Sequence, residues 1–168
     1  MEYFEKRIEQ EFDSKETSIR TINRVYKNFS FKPNSLILDY GGGKYDDNAL
    51  YMKKLGNTVL VYDPYNRTKK HNDTVKQYIS ANKLDYIVCS NVLNVIKEDA
   101  VIYELLSDIK NIGINTVKVF TVYEGNKSGI GCKTKKGYQR NLKYTCYLPM
   151  LSSYFKIIEI KSGIIVCM

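Results

Sequence analysis

The feature that most constrains the fold of this chain is the segment 35–46, SLILDYGGGKYD. Its apolar run ends in the carboxylate of Asp39, three glycines follow at 41–43, and a helix-compatible stretch begins near Asp46. Glycine has no Cβ, so it permits positive φ angles and lets the backbone approach a ligand closely. A buried strand that delivers an acid into a glycine turn before a helix is typical of α/β proteins that hold nucleotide-like ligands. We therefore predict an α/β fold with a ligand site at this turn.

A second acid follows the next predicted strand. The run 58–62 ends in Asp63 and Pro64. The spacing from Asp39 to Asp63 is close to the ~20 residues at which the acid of a following strand reaches a ribose. Because a carboxylate accepts two hydrogen bonds from a diol, Asp63 is the expected ribose ligand. An ordinary turn after the strand is the alternative explanation.

Length and composition place the chain among single-domain globular proteins. Its 168 residues, with 43% hydrophobic and 26% charged residues, are enough for one domain spanning 1–168 with its own core. No apolar run approaches the ~20 residues that span a bilayer, and the start resembles no signal peptide. The four cysteines form no CxxC pair and there is one histidine. We therefore expect a cytoplasmic protein with no membrane segment and no metal site.

Predicted helices and strands alternate along the chain. The N-terminal region 1–30 is predicted to be helical, with a charged helix over 2–12 and a second helix from Thr17 or Ser18 to about Asn28. Four strands are then expected over 36–40, 58–63, 85–90 and 115–123. Helices are expected between and after them over 46–55, 73–82, 98–111 and 142–154. This alternation indicates a parallel sheet with right-handed crossovers.

The last predicted strands break the alternation. The β-rich runs 155–160 and 164–168 are joined by a three-residue turn, and a connection so short predicts an antiparallel hairpin. A parallel nucleotide-binding sheet with such an ending, together with Asp39-Tyr40-Gly41-Gly42-Gly43, resembles the class I S-adenosylmethionine-dependent methyltransferases. The five residues match the D-x-G-x-G core of the family's motif I, although Tyr45 stands at its third glycine position. The resemblance covers about residues 17–168.

The resemblance implies a Rossmann-like, mostly parallel sheet with a C-terminal antiparallel hairpin. Only residues 64–84 separate Asp63 from the next predicted strand, so the family's third strand is predicted to be reduced or absent. The family often takes an adenine contact from an acid after that strand. In this chain the stretch 71–73, His-Asn-Asp, is the expected substitute.

The resemblance also implies S-adenosylmethionine as the cofactor. Asp39 and Asp46 are expected to meet its ammonium group, although Asp46 could instead cap the helix. The residues expected to bind the cofactor are Asp39, Tyr40, Gly41, Gly42, Gly43, Asp46, Asp63, Pro64, Ser90 and Asn91.

Catalytic groups of this fold are expected at the carboxyl ends of the strands. After the strand over 85–90 these are Asn91 and Asn94, and after the strand over 115–123 they are Tyr123 and Glu124. At the position after the strand over 85–90, the family's amino-methylating DNA enzymes carry an acid or Asn followed by Pro-Pro-aromatic. The residues 91–94 are Asn-Val-Leu-Asn instead, which argues against that known arrangement.

A basic, glycine-rich loop over 125–141 is the other distinctive feature. With a net charge of +8, the chain favours an anionic partner, and a nucleic acid, DNA or RNA, is the leading substrate. A solvated surface loop is the alternative. Two other functions stay open: a small-molecule methyltransferase, and a non-catalytic protein of this fold that binds nucleic acid or a partner chain. The residues expected to bind the substrate are Lys133, Lys135, Lys136, Tyr138, Gln139 and Arg140.

Overall fold

The computed structural model describes residues 9–12 and 18–168. In chain order their elements are α1 (Arg24–Asn28), β1 (Leu36–Tyr40), α2 (Asp47–Lys54), β2 (Thr58–Tyr62), α3 (Lys69–Ala81), β3 (Tyr86–Ser90), α4 (Asp99–Ile112), β4 (Val117–Thr121), β5 (Cys132–Thr134), β6 (Gly137–Gln139), α5 (Leu148–Ser152), β7 (Ile157–Lys161) and β8 (Ile164–Cys167). Short 3-10 helices lie at Leu93–Val95 and Tyr144–Tyr147.

Six strands form one mixed sheet in the order β2-β1-β3-β4-β8-β7. The strands β1 to β4 are parallel, whereas β8 pairs antiparallel with both β4 and β7. The predicted fold, a mostly parallel sheet that ends in an antiparallel hairpin, is therefore confirmed.

The two faces of the sheet are covered because the chain reverses direction after β2. It steps outward from β1 to β2 through α2, then back past β1 to β3 through α3. Right-handed crossovers in opposite directions put their helices on opposite faces. One core accordingly contains Val25, Ile37, Met52, Val88 and Val119. The other contains Leu38, Val75, Ile87, Leu106 and Leu151. The reversal leaves a crevice at the carboxyl ends of β1 and β3, where ligands bind in open α/β sheets.

The family's third strand, predicted to be reduced or absent, is not found among residues 9–12 and 18–168. In the described part of the chain no strand pairs with the outer edge of β2. Side chains of α3 occupy part of that edge instead. The Nε2 atom of His71 lies 2.7 Å from the carbonyl oxygen of Val61. The side chain of Asn72 donates to the carbonyl of Asp63 at 2.9 Å and accepts from its amide at 3.2 Å. These contacts replace hydrogen bonds that a further strand would make.

We expect Asn72→Ala to destabilise the fold by about 2–4 kcal/mol, because two backbone groups of Asp63 lose their partner in a buried position. Urea unfolding measures the difference. Asn82→Ala is the control, since Asn82 is exposed at the C-cap of the same helix and loses one exposed hydrogen bond, to the carbonyl of Tyr78 at 2.8 Å, which should cost less than about 1 kcal/mol. Equal stabilities of the two variants would contradict this role of Asn72.

The N-terminal helices differ from the prediction. The predicted helix over 2–12 falls mostly on residues outside the described ones, and residues 9–12 are not helical. Of the predicted helix up to Asn28, only α1 is present, and Thr17 lies outside the described residues. Residues 18–23 lie across the glycine turn instead. The hydroxyl of Ser18 accepts from the amide of Lys44 at 3.2 Å, and the amide of Asn23 donates to the Asn48 side chain at 2.9 Å.

Three other boundaries differ for local reasons. Helix α3 begins four residues earlier than predicted because Thr68 caps it, accepting from the amide of His71 at 3.2 Å. The predicted helix over 142–154 is divided into a 3-10 helix and α5, with Pro149 in the first turn of α5, where a missing N–H is tolerated. The predicted loop over 125–141 contains the small antiparallel ladder of β5 and β6.

Candidate functional site

The glycine turn after β1 has a backbone that side chains would obstruct. Gly41 and Gly43 have φ angles of 79° and 77°. A Cβ on Gly41 would lie 2.5 Å from the side chain of Val92, and one on Gly43 would lie 2.7 Å from the Ser18 hydroxyl. The turn therefore brings bare backbone to the crevice, as the D-x-G-x-G pattern predicts.

The Asp63 carboxylate organises this turn and the loop after β2. One oxygen accepts from the amides of Tyr65 and Asn66, both at 2.9 Å. The other accepts from the amide of Gly43 at 2.9 Å and from the Asn66 side chain at 3.1 Å. A carboxylate has about four acceptor sites, so this one is saturated by protein donors. The Asn66 side chain is the donor that can rotate away.

Arg67 joins the same two loops from the other side. Its Nε donates to the carbonyl of Gly43 at 2.7 Å, and its guanidinium pairs with Asp46 at 2.8 Å. Asp46 occupies the N-cap position of α2, as the helix-cap alternative predicts, but its side chain makes no capping hydrogen bond there. Nothing in the local sequence pattern marks Arg67, because its partners lie about 20 residues away in the chain.

Asp39 lies behind the glycine turn, on the face of the sheet covered by α1 and α2. It is 1% exposed, and the side-chain amide of Asn48 lies 3.5 Å from its carboxylate. Burial raises the pKa of Asp39 to about 6, against the opposing influence of Tyr26 and Asn48. A carboxylate that is costly to ionise is thus held next to the turn.

A cavity opens in front of the glycine turn, between the carboxyl ends of the strands, α4 and the segment 18–23. We name it the glycine cavity. The residues predicted to bind a cofactor that line it are Tyr40, Gly41, Gly42, Gly43, Asp63, Pro64, Ser90 and Asn91. Asp39 and Asp46 do not line it. Lining residues that the sequence pattern did not indicate include Ser18, Asn48, Asn66, Val92, Leu105 and Asp108.

The charged side chains among the described residues that line the glycine cavity are all acidic. Asp47, Asp63, Glu104 and Asp108 contribute carboxylates to its wall, and its lining within the described ranges contains no Lys, Arg or His. An apolar section is formed by Val92, Val95, Val101 and Leu105. A site of this composition suits an organic cation that also carries an apolar ring.

Asn91 marks the boundary between this cavity and a second one. It adopts a φ of 59°, and its amide donates to the carbonyl of Thr121 at 2.9 Å. Its side chain is exposed and makes no hydrogen bond to the residues that the structure describes. The second cavity, which we name the neighbouring cleft, shares Asn91 and is also lined by Tyr123 and Glu124. The structure thus brings three of the four predicted catalytic residues to one cleft.

The fourth, Asn94, lines neither cavity and is buried in a network of amides. Its side chain accepts from the amide of Tyr123 at 3.2 Å and donates to the side chain of Gln139 at 3.1 Å. Gln139 in turn donates to the carbonyl of Tyr123 at 2.9 Å. Asn94 and Gln139 therefore hold the segment after β4 in place, whereas the sequence predicted contacts with a substrate.

The Glu124 carboxylate also makes contacts within the protein. It accepts from the amide of Tyr144 at 2.8 Å and pairs with Lys127 at 3.0 Å. These two partners hold the pKa of Glu124 below its usual value. A carboxylate with a lowered pKa is a weak base, so Glu124 suits fixing the loop better than taking a proton.

The basic segment is divided between internal and exposed cations. Arg140 donates to the carbonyls of Ile96 at 2.8 Å and Lys97 at 2.9 Å, and it pairs with Asp99. The ring of Tyr138 stacks on Phe12, with centroids 5.5 Å apart. The lysines predicted to contact a substrate are solvent-exposed, and they are Lys133, Lys135 and Lys136.

Three features are not found among the described residues. The stretch 71–73, expected to contact adenine, does not line the glycine cavity, since His71 and Asn72 bind the edge of β2. Within 9–12 and 18–168 no group of three or more His, Cys, Asp or Glu residues could hold a metal ion. None of the helices found there is both long and apolar enough to cross a membrane.

Solved structures share this architecture. The 1,6-didemethyltoxoflavin-N1-methyltransferase of Burkholderia thailandensis, with 1,6-didemethyltoxoflavin and S-adenosylhomocysteine bound, superimposes with a TM-score of 0.57 at 15% identity, over 80% of this chain and 70% of that chain. A SAM-dependent methyltransferase from Aquifex aeolicus gives 0.54 at 13%, over 86% and 87%. The glycopeptide N-methyltransferase MtfA with bound S-adenosyl-L-methionine gives 0.56 at 8%, over 86% and 90%.

These similarities show that the chain has the fold of the class I S-adenosylmethionine-dependent methyltransferases, and the predicted resemblance is confirmed at the level of the fold. The chain matches no protein-family model, and no curated protein matches its sequence.

Proposed function

We propose that this protein is an S-adenosylmethionine-dependent methyltransferase. The observation that carries the proposal is the glycine cavity, in which a bare glycine turn and the Asp63 carboxylate meet within an acidic wall. Two of the methyltransferase structures described above contain S-adenosylhomocysteine or S-adenosylmethionine on the same fold. The cofactor is a sulfonium with an ammonium group, so an acidic cavity complements it.

Each part of the cofactor has a counterpart in the cavity wall. The methionine end would lie along Gly41 and Gly43, with Asn48 near the ammonium and the charge of Asp39 acting from behind. The ribose diol would bind Asp63 by replacing the side-chain donor of Asn66. The adenine would lie against the apolar section at Val92 and Leu105.

Methyl transfer requires little chemistry from the protein, since the sulfonium is already activated. A bound cofactor would supply an activated methyl group, and the protein would have to align the acceptor atom, the methyl carbon and the sulfur. Asn91 lies where the two cavities meet, so we assign it the contact to the acceptor. Tyr123 lies on the acceptor side, and Glu124 keeps that side in shape.

A small molecule is the acceptor we propose first. The neighbouring cleft is a concave site beside Asn91, and small acceptors need such an enclosure. The Burkholderia neighbour binds 1,6-didemethyltoxoflavin, a small molecule. Moreover, Gln139 and Arg140, two residues expected to contact a nucleic acid, are bound to the protein's own backbone and side chains.

Nucleic acid is the second candidate acceptor, favoured by the exposed lysines at 133, 135 and 136 and the net charge of +8. Transfer of a labelled methyl group from S-adenosylmethionine distinguishes the candidates. Label in a small molecule of a cell extract other than S-adenosylmethionine and its breakdown products, present only when the protein is added, supports the first, and label in DNA or RNA supports the second. If no fraction is labelled although the cofactor binds, the protein is a non-catalytic binder and the proposal is wrong.

A further inference from the structure

We propose that the neighbouring cleft binds an acceptor made of a flat ring with an anionic oxygen group, and that Arg24 recognises the anion. This inference rests on the proposed function, because it treats the cleft as the acceptor side of a methyltransferase. The cleft lies over the carboxyl end of β4 and the turn between β7 and β8, and Asn91 forms its wall toward the glycine cavity.

Arg24 has hydrogen-bonding capacity to spare. Its guanidinium lines the cleft and carries five N–H donors. With the described residues it makes one hydrogen bond, a long one of 3.4 Å to the carbonyl of Gly163, and no ion pair. A guanidinium presents its donors as a planar fork that fits a carboxylate or phosphate group.

The acid of the cleft does not compete for Arg24. Glu124 is occupied by the amide of Tyr144 and by the ammonium group of Lys127. With that pair neutral as a whole, Arg24 leaves the cleft with an excess of one positive charge. Among the described residues, the lining of the adjacent glycine cavity carries acidic side chains and no cation, whereas the cleft lining includes Arg24.

The rim of the cleft has unusual backbone conformations. Three of the five described non-glycine residues with positive φ line it, namely Asn91 at 59°, Lys127 at 60° and Ser162 at 50°. Such conformations cost free energy and cluster at functional sites. Asn34 and Asn141, the other two, lie elsewhere.

Aromatic side chains in the neighbouring cleft are the reason why we propose an acceptor with a flat ring. Tyr123 lines the cleft and is 63% exposed, and Tyr144 lines it as well. An exposed tyrosine that lines the same cleft as a cation provides a flat apolar face in a cavity that also holds a charge. A planar acceptor with an oxyanion complements both.

The test is an NMR titration of the isotopically labelled full chain with S-adenosylhomocysteine present. The probes are 4-hydroxybenzoate and phenyl phosphate, which cover the two oxyanions, and 4-hydroxybenzamide as the neutral isostere. We expect one of the anions to shift the amide signals of Asn91, Tyr123 and Gly163, and the benzamide to bind at least tenfold more weakly. Equal binding of the neutral probe, shifts confined to other residues, or no binding of either anion would overturn the inference.

Variants make the assignment to Arg24 specific. Arg24→Gln is expected to weaken binding of the anion at least tenfold and to leave the benzamide unchanged. Lys27→Gln is the matched control, because Lys27 is an exposed cation on the same helix and outside the cleft. Both variants should bind S-adenosylhomocysteine as the unmodified protein does. If Arg24→Gln binds the anion as tightly as the unmodified protein does, the role of Arg24 is refuted. If the unmodified protein does not bind S-adenosylhomocysteine, the proposed function itself is refuted.

Discussion

Asp63→Ala should lose at least ~100-fold in affinity for S-adenosylmethionine. A hydrogen bond from a ribose hydroxyl to a carboxylate, in the place that the Asn66 side chain vacates, is worth up to about 3 kcal/mol, which corresponds to this factor. The variant also frees the amide of Gly43 from its carboxylate partner, so the glycine turn becomes less well defined. Calorimetric titration measures the affinity, and circular dichroism establishes that the variant is folded.

Asn66→Ala separates the carboxylate from the loop that surrounds it. The substitution removes the side-chain donor that we expect the ribose to displace, while the amides of residues 43, 65 and 66 still bind Asp63. Its affinity should therefore stay within about threefold of the unmodified protein. A folded Asp63→Ala protein with unchanged affinity, or an equal loss in both variants, would contradict the ribose assignment.

Asp39→Asn should make the protein more stable and bind the cofactor less tightly. Burial raises the pKa of Asp39 from 3.8 to about 6, and each unit corresponds to about 1.4 kcal/mol. We expect a gain of about 1–3 kcal/mol in the free energy of unfolding at pH 7, measured in urea. The affinity for S-adenosylmethionine should fall roughly tenfold, about 1.4 kcal/mol, because the ammonium loses a nearby negative charge.

The stability gain expected for Asp39→Asn should depend on pH. Between pH 4 and pH 6, Asp39 is still protonated in the folded state but already ionised in the unfolded state. Raising the pH through this range therefore lowers the free energy of unfolding. The advantage of Asp39→Asn should be small below pH 4, grow up to about pH 6 and stay constant above it. Cofactor affinity of the unmodified protein should rise over pH 5 to 7, and that of the variant should not. Asp73→Asn, at an exposed position of α3, is the control; a similar stability gain there would contradict the account.

The features that were predictable from sequence are those encoded locally. The apolar run before Asp39, the glycines at 41–43 and the short turn at 161–163 each lie within a few residues. Together with the alternation of helices and strands, they determine the parallel sheet, its terminal hairpin and the position of the crevice. The short interval after Asp63 likewise predicts the missing strand.

The parts that were not predictable depend on contacts between distant residues. Asn94 at a strand end looks catalytic from its position, yet its partners Tyr123 and Gln139 lie 29 and 45 residues away and bury it. Arg140 looks like a phosphate ligand until Ile96 and Asp99 are found beside it. The segment 18–23 has helical periodicity, but its hydrogen bonds to the glycine turn and α2 compete with the helix.

Binding of S-adenosylmethionine in the glycine cavity is measured by calorimetric titration of the purified chain with S-adenosylmethionine and with S-adenosylhomocysteine. We expect both compounds to bind at micromolar concentrations, with one site per chain, and Asp63→Ala to lose that binding. If the folded protein binds neither compound, the glycine cavity is not a site for this cofactor.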